Sequence, residues 1–209
     1  MKKNGTLRWL TASLIGVALA SAPLIAVETG VSEKLGLNTY ADREGRLSLV
    51  VDSYTASLRG DESYVPIRVA IGLVGKGKAV HFDVESFTLT DRNGNEVPLA
   101  SYSDVNSRYE KRVADDALMR HRPMMLDSRF DALDRVDSRF FPSPSGRGTR
   151  VTRVELASGT WFQDVLYFPR PPAGTRGVMT LTLKAREMDQ AIHVKFRIHE
   201  TGEGEQLQS

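Results

Sequence analysis

Cysteine is absent from this 209-residue chain. Its absence excludes a thiol nucleophile, a disulfide framework, a cysteine-based zinc site and covalent haem attachment. A lipid-modified N-terminal cysteine is excluded as well. We therefore expect a domain that is stabilised by its own hydrophobic core and that carries no cofactor.

The short motifs of common enzymes are also missing. The sequence contains no G-x-S-x-G elbow, no phosphate-binding glycine loop and no H-E-x-x-H pair. Acidic residues are plentiful, but their spacing identifies no pair of catalytic carboxylates. We therefore predict no catalytic residues and a protein that is not an enzyme.

Neither sign of charge dominates the chain. It has 28 basic and 26 acidic residues, which gives a formal net charge of +2. Without the three basic residues of the N-terminal segment, Lys2, Lys3 and Arg8, the balance is 25 against 26, or −1. Affinity for nucleic acid depends mainly on neutralising phosphates, so a nearly neutral domain predicts no nucleic-acid partner.

The start of the chain has no acidic residue before Glu28. Its basic residues precede an uncharged stretch from Trp9 to Val27. Positive charge resists translocation, so this order predicts a signal peptide or a membrane anchor over residues 1–27.

Two leading interpretations of residues 1–27 stay open, beside a third in which they form a buried core helix. Ala18-Leu19-Ala20 has the A-x-A form that signal peptidases accept, which favours cleavage after Ala20. The uncharged stretch is also close to the ~20 residues that cross a bilayer, which favours a retained anchor. Both place the rest of the chain in the periplasm or outside the cell, with the membrane as a partner only if residues 9–27 are retained.

Three further segments follow. Residues 28–45 lack periodicity and predict a linker. Residues 46–199 carry the alternating patterns of a β domain, and the polar residues 200–209 predict a disordered tail.

Strand patterns dominate residues 46–199. Side chains two apart in a strand share a face, so alternation of apolar and polar residues predicts half-buried strands. Asn93-Gly94 predicts a hairpin turn, a phase shift near Glu85-Ser86 predicts a break, and Pro66 favours a strand edge or start. About eight short strands predict a mainly β fold, an antiparallel β-sandwich. The clearest apolar alternation is at Val65, Ile67, Val69, Ile71 and Leu73.

Residues 103–141 interrupt the strand pattern and predict a helical insertion. Ser103 or Asp104 is suited to cap its first helix, and Pro123 to end it. The spacing predicts two helical stripes. The first is Val105, Tyr109, Val113 and Ala117, and the second is Leu126, Phe130, Leu133, Val136 and Phe140.

The second stripe contains a repeat, because Asp-Ser-Arg-Phe at 127–130 recurs at 137–140. Ten residues are nearly three helical turns, so both copies would face similar directions in a continuous helix. Arginine and aromatic residues are enriched at interfaces. We predict that Arg129, Phe130, Arg139 and Phe140 contact an envelope protein, and that the sandwich folds without residues 103–141. The alternative is a helix that packs on its own domain.

Weaker candidates for small-ligand binding are also present. His81, Asp83 and Glu85 occupy alternate positions of one predicted strand and would share a face, where a hard cation could bind or water could solvate them. The stretch from Trp161 to Phe168 could offer a sugar-stacking platform or supply core residues. Met119, His121, Met124 and Met125 could bind copper or fill the core.

Four stretches carry a resemblance to a known family. They are YVPIRVAIGL, SFTLTDRNGNEVPL, WFQDVLYFP and IHVKFRI, within residues 64–100 and 151–199. Together they resemble exported bacterial immunoglobulin-like domains of the telokin-like kind, in which F-x-L-x-D-x-x-G leads into a hairpin. The insertion departs from that pattern, and the antibody-type cysteine pair is absent. The resemblance implies an adhesion, scaffold or sensing role without catalytic residues.

These observations predict an immunoglobulin-like β-sandwich with a helical insertion, preceded by a signal or anchor helix. They favour a non-catalytic interaction or scaffold module of the cell envelope. The alternatives are a protein that binds a metal or a glycan, and an exported hydrolase without a recognisable motif.

Overall fold

The computed structural model describes residues 32–144, 146 and 148–199. The predicted leader at 1–27 and the predicted tail at 200–209 lie outside these described residues. Within them the protein is mainly β, with antiparallel sheets. No helix in this part of the chain is long and apolar enough to cross a membrane.

The described residues form fourteen strands, many of them short. They are β1 (Glu33–Lys34), β2 (Thr39–Glu44), β3 (Leu47–Asp52), β4 (Tyr64–Leu73), β5 (Val80–Asp83), β6 (Phe87–Thr90), β7 (Glu96–Pro98), β8 (Asp134–Val136), β9 (Ser138–Arg139), β10 (Thr149–Arg150), β11 (Arg153–Leu156), β12 (Thr160–Pro169), β13 (Val178–Leu183) and β14 (Ile192–Arg197). The helices are α1 (Tyr54–Ser57), α2 (Tyr102–Arg108) and α3 (Arg112–His121), and 3₁₀ turns occupy Val84–Ser86 and Ser128–Phe130.

The larger sheet has six strands in the order β1-β2-β3-β4-β12-β8. Its longest pairing is the antiparallel pair β4–β12, which runs from Tyr64 opposite Pro169 to Leu73 opposite Thr160. At its edge the short β8 pairs parallel to β12. Pro66 lies beyond the end of the β3 pairing, where β4 has a partner on one side only, so its missing N–H breaks no ladder there.

A second sheet has four strands in the order β14-β13-β6-β7, and β5 pairs with β11. Alternate residues of these strands join those of β3, β4 and β12 in one hydrophobic cluster, to which β14 contributes Ile192, Val194 and Phe196. The local predictions in this region are confirmed. The 3₁₀ turn Val84–Ser86 breaks the strand, and Gly94 adopts φ 84° in the hairpin between β6 and β7.

The opposite face of the six-stranded sheet is also covered. Residues 122–133 lie over it, where Met124 and Phe130 form a second apolar cluster with Val50 and Ala70. We call residues 122–133 the strap. The core covers one face of β4. The strap and, at Tyr64, the ring of Tyr109 cover the other, so all ten residues of β4 are buried.

Gly72 of β4 gives the strap its close approach. A Cβ atom there would lie 2.9 Å from Leu133 Cδ1 and 3.0 Å from Phe130 Cε1. We expect Gly72→Val to lower the free energy of unfolding by about 2 kcal/mol, because overpacking displaces the strap. Urea denaturation measures this, with Gly60→Val as control, since open space surrounds Gly60. Equal stability of the two variants would contradict the close packing of the strap.

The linker predicted over residues 28–45 is wrong for residues 39–44, which form β2. Tyr40 and Ala41 are buried, and the Tyr40 ring lies 6.4 Å from that of Phe196. The second half of the strand, Asp42-Arg43-Glu44, is exposed and polar. This mixed composition hides the alternation on which the sequence prediction depended.

The insertion is helical only in its first half. α2 ends at Arg108, and Tyr109 caps it in an extended conformation at φ −121° and ψ 104°. The predicted second helix is wrong, since Asp127–Phe140 contains a 3₁₀ turn and the short strands β8 and β9. Its apolar residues separate, because Phe130 packs on the outer face of the sheet while Phe140 enters the main core on the other face.

Candidate functional site

The candidate site lies on the helix pair α2–α3, whose second helix buries charged side chains. Ser101 caps α2 by accepting a hydrogen bond from the Asp104 N–H at 3.1 Å, so the predicted cap at Ser103 or Asp104 is wrong by two or three residues. The chain then bends at Tyr109 and restarts as α3 at Arg112. Because of this break, the residues of the predicted stripe before and after it do not share one face. Val105 and Tyr109 are buried, whereas Val113 is 63 % exposed.

The inward face of α3 carries charge. Its buried residues are Arg112, Asp115, Asp116 and Met119. At 100° per residue these four lie within one third of the helix circumference. In a surface helix of a globular protein the apolar stripe usually faces the core, so α3 has the reverse arrangement.

Asp115 connects α3 to the segment after α1. Its Oδ1 accepts a hydrogen bond from Arg59 Nε at 2.9 Å and lies 2.8 Å from Arg59 Nη2, and its Oδ2 accepts a hydrogen bond from the Tyr109 hydroxyl at 2.9 Å. Burial raises the pKa of the Asp115 carboxyl above its ordinary value, although Tyr109 and Arg59 favour the ionised form. Burial and the adjacent carboxylate also raise the pKa of Tyr109, so this hydroxyl remains a donor.

Asp116 connects α3 to the end of the insertion. Its Oδ2 accepts hydrogen bonds from Arg120 and from the Ser143 hydroxyl, the latter at 2.5 Å, and its Oδ1 lies 3.5 Å from Arg139 Nη1. Arg112 donates to the Pro142 carbonyl at 2.8 Å. These charge-assisted bonds fix the orientation of α3 against the domain.

The outward face of α3 is consequently apolar at its centre. Val113 and Ala114 are exposed and Ala117 and Leu118 are half-buried. Among the described residues only Val113 and Met125 are large hydrophobic side chains with high exposure. Exposed charged residues border this face. Four are basic, Arg108, Lys111, Arg120 and His121, and one is acidic, Glu110. We call Val113, Ala114, Ala117 and Leu118 the α3 outer face.

The contact residues predicted from sequence do not form an exposed face. Phe130 is 3 %, Arg139 6 % and Phe140 2 % exposed. Arg129 is half-buried and pairs with Asp127, which also accepts its backbone N–H at 3.0 Å. The placement of these four residues on an outer surface is therefore wrong, because each copy of the repeat places its phenylalanine in an apolar cluster.

His81, Asp83 and Glu85 do not gather around one point. Asp83 caps the 3₁₀ turn by accepting from the Glu85 N–H at 3.1 Å, so Glu85 leaves the strand. His81 lies between two other carboxylates, 2.7 Å from Glu187 Oε1 and 3.5 Å from Glu155 Oε2. Partial burial raises the pKa of the Glu187 carboxyl, whereas the hydrogen bonds from His81 lower it. The net shift of this pKa is downward. No group of three or more His, Cys, Asp or Glu side chains in the described residues could hold a metal ion.

The remaining candidates are dispersed as well. Met119 and Met124 belong to different apolar clusters, and Met125 is exposed. Trp161 lies half-buried, with its ring 5.7 Å from Phe130 and under Arg135. The aromatic residues after it in β12 are buried. They therefore form no open stacking surface for a sugar.

Asp164 is a buried acid that sequence reasoning missed. Its Oδ2 accepts hydrogen bonds from the backbone N–H groups of Phe140 at 2.7 Å and Phe141 at 3.1 Å, and its Oδ1 accepts one from the Val165 N–H at 2.8 Å. Complete burial raises the pKa of Asp164 to about 7, although these donors favour the ionised form. The sequence contained one signal for it, a single acidic residue within a run of apolar strand residues.

Comparisons with known proteins show no family. No protein-family model matches the chain, and no curated protein is significantly similar to it. A crystal structure of the yjhA protein from Bacillus subtilis aligns with a TM-score of 0.33 and 13 % identity, over 68 % of this chain and 76 % of that one. At this level of similarity the yjhA protein has no bearing on the function of this chain.

Proposed function

We propose that this protein is a non-catalytic interaction module of the cell envelope. It has an immunoglobulin-like β-sandwich and contacts a protein partner through the α3 outer face. The basic start and the uncharged stretch from Trp9 to Val27 support export or anchoring. Two antiparallel sheets that share one hydrophobic cluster support the sandwich.

The reversed polarity of α3 is the observation that carries the proposal. Polar tethers through Asp115 and Asp116, together with buried Met119, hold the helix, so the α3 outer face is not needed for attachment to the domain. Exposed apolar side chains with a basic border match the usual anatomy of an interface, which has an apolar centre and a polar rim. The border contains Arg108 and Lys111, so we expect an acidic surface with an apolar centre on the partner.

The surroundings of the buried acids support a non-catalytic role. Asp115, Asp116 and Asp164 all accept hydrogen bonds from donors that belong to fixed parts of the fold. A general acid or base needs contact with a substrate as well as a shifted pKa. Here the two carboxylates with shifted pKa values, Asp115 and Asp164, accept hydrogen bonds that join separate segments of the chain.

Site-specific photocrosslinking in cells that produce the protein tests this. A crosslinking residue at position 113 or 117 should give a discrete adduct with one envelope protein, and the same residue at position 132 or 152 should not. We expect Val113→Glu to weaken adduct formation from position 117 at least tenfold, since it places a carboxylate against an acidic partner. Its free energy of unfolding should stay within about 0.5 kcal/mol of the parent value, because Val113 is exposed.

Met125→Glu is the matched control, because Met125 is the other mostly exposed large hydrophobic residue of the described chain. It should leave the adduct unchanged. Equal loss of the adduct in both variants would show that non-specific hydrophobic contact, and not the α3 outer face, produces it. Lipid adducts from position 113, without a protein adduct, would replace the protein partner with a membrane surface.

A further inference from the structure

A cleft separate from the α3 outer face lies at another part of the domain. The end of α1 with the segment after it, the loop 170–176 and the two residues after β14 line a volume of about 590 Å³. This is within the range of small-molecule sites in proteins, roughly 300–1,000 Å³. Its charged and titratable lining residues are Asp61, Arg170, Arg176 and His199.

Arg170 is held in this cleft by neutral groups. Its Nε donates to the Glu62 carbonyl at 2.6 Å and its Nη2 to the Arg59 carbonyl at 2.8 Å. A guanidinium has five N–H donors, so three remain for a ligand. Carbonyl oxygens orient the group without neutralising its charge, and no carboxylate of the described residues forms an ion pair with it.

Other charged groups also line the cleft. They are the guanidinium of Arg176 and the carboxylate of Asp61. The His199 ring is also part of the lining, and its Nε2 lies 3.4 Å from the Tyr40 hydroxyl. Within the described part of the chain, Arg170 is bonded to carbonyl oxygens only, so its guanidinium favours an anionic ligand.

The wall of the cleft is fixed before any ligand arrives. Asp91 accepts hydrogen bonds from the backbone N–H groups of Asn93 at 2.8 Å and Asn95 at 3.0 Å in the hairpin, and from that of Ala173 in the loop at 3.3 Å. Hydrogen bonds from Asn95 lower the pKa of the Asp91 carboxyl, so it remains an acceptor at neutral pH. The acidic residue of the F-x-L-x-D-x-x-G stretch thus ties the loop 170–176 to the hairpin.

We infer that this cleft binds a small oxyanion, either a carboxylate or a phosphate ester. The fork of a guanidinium matches two oxygens of either group, and Arg170 presents its fork from a fixed position. This site is independent of the proposed protein partner. Either one can fail in experiment without affecting the other.

Titration of the folded protein with two probes tests the inference, with amide and His199 ring signals followed by nuclear magnetic resonance. The probes are inorganic phosphate and succinate. We expect saturable shifts at residues 173–176 and at His199, with a dissociation constant below about 10 mM for at least one probe. Saturation by phosphate alone indicates a phosphate ester, and saturation by succinate alone indicates a carboxylate.

Arg170→Gln should weaken binding at least tenfold. That variant could also disturb the segment at residues 59–62, so Arg176→Gln serves as a second variant at an exposed position, with an expected loss of at least threefold. Lys195→Gln is the control, since Lys195 does not line the cleft. Linear shifts with both probes, displacement by sodium chloride at equal concentration, or full binding by Arg176→Gln and a folded Arg170→Gln would each overturn the inference.

Discussion

Replacing Phe140 with alanine is expected to lower the free energy of unfolding by about 4 kcal/mol, because truncating a buried phenylalanine removes apolar contacts and leaves a cavity. The Phe140 ring lies 5.7 Å from that of Phe162, 5.9 Å from Phe87 and 6.3 Å from Phe82, all in the main core. Equilibrium denaturation in urea measures the loss.

Phe140→Leu is the matched control, because it keeps most of the volume and should cost less than about 1.5 kcal/mol. Partner crosslinking from position 113 should persist in every Phe140 variant that stays folded. A stable Phe140→Ala protein that loses the partner would restore the surface role predicted from sequence.

Removing the Asp164 side chain as alanine is expected to destabilise the protein by about 3 kcal/mol. The backbone N–H groups of Phe140 and Phe141 would lose their acceptor while they remain buried, and each such group costs about 1–3 kcal/mol. Thermal unfolding should show a melting temperature lower by roughly 10 °C. A change of less than about 1 kcal/mol would show that other acceptors replace the carboxylate.

Asp164→Asn separates the titration of this group from its hydrogen bonds. The pKa of Asp164 is about 7 in the folded protein, above the ordinary aspartate value of 3.8, so the folded state holds this proton more tightly than the unfolded state. Its contribution to stability is therefore largest at low pH and is lost as pH rises from about 4 to 7, with a slope of up to about 1.4 kcal/mol per pH unit. The difference in free energy of unfolding between the parent and Asp164→Asn should change with pH at this slope. A difference that does not vary with pH would contradict the raised pKa.

The same contacts make the insertion part of the fold. Deletion of residues 103–141 would remove Phe140 from the core and both backbone donors to the Asp164 Oδ2. We therefore expect no cooperatively folded protein from that deletion, contrary to the expectation from sequence. Substitutions on the α3 outer face are the suitable test of partner binding, since they leave these contacts in place.

The insertion also shows where sequence reasoning failed. The spacing of Phe130 and Phe140 fits a continuous helix, yet the two rings lie on opposite faces of the six-stranded sheet. Between them β8 adds to the edge of that sheet beside β12, so the chain passes from one face to the other. A spacing of ten residues cannot distinguish one helical stripe from two separate contacts.

Most of the β framework was determined by the sequence itself. Alternation in β4, β13 and β14, the hairpin at Asn93-Gly94 and the break near Ser86 depend on neighbours in the chain, which a local pattern records. Only the tertiary structure decided which faces are covered and which way α3 points. That orientation depends on Arg59 and Ser143, which are distant in sequence from Asp115 and Asp116, and a buried charge becomes favourable only when such partners meet it.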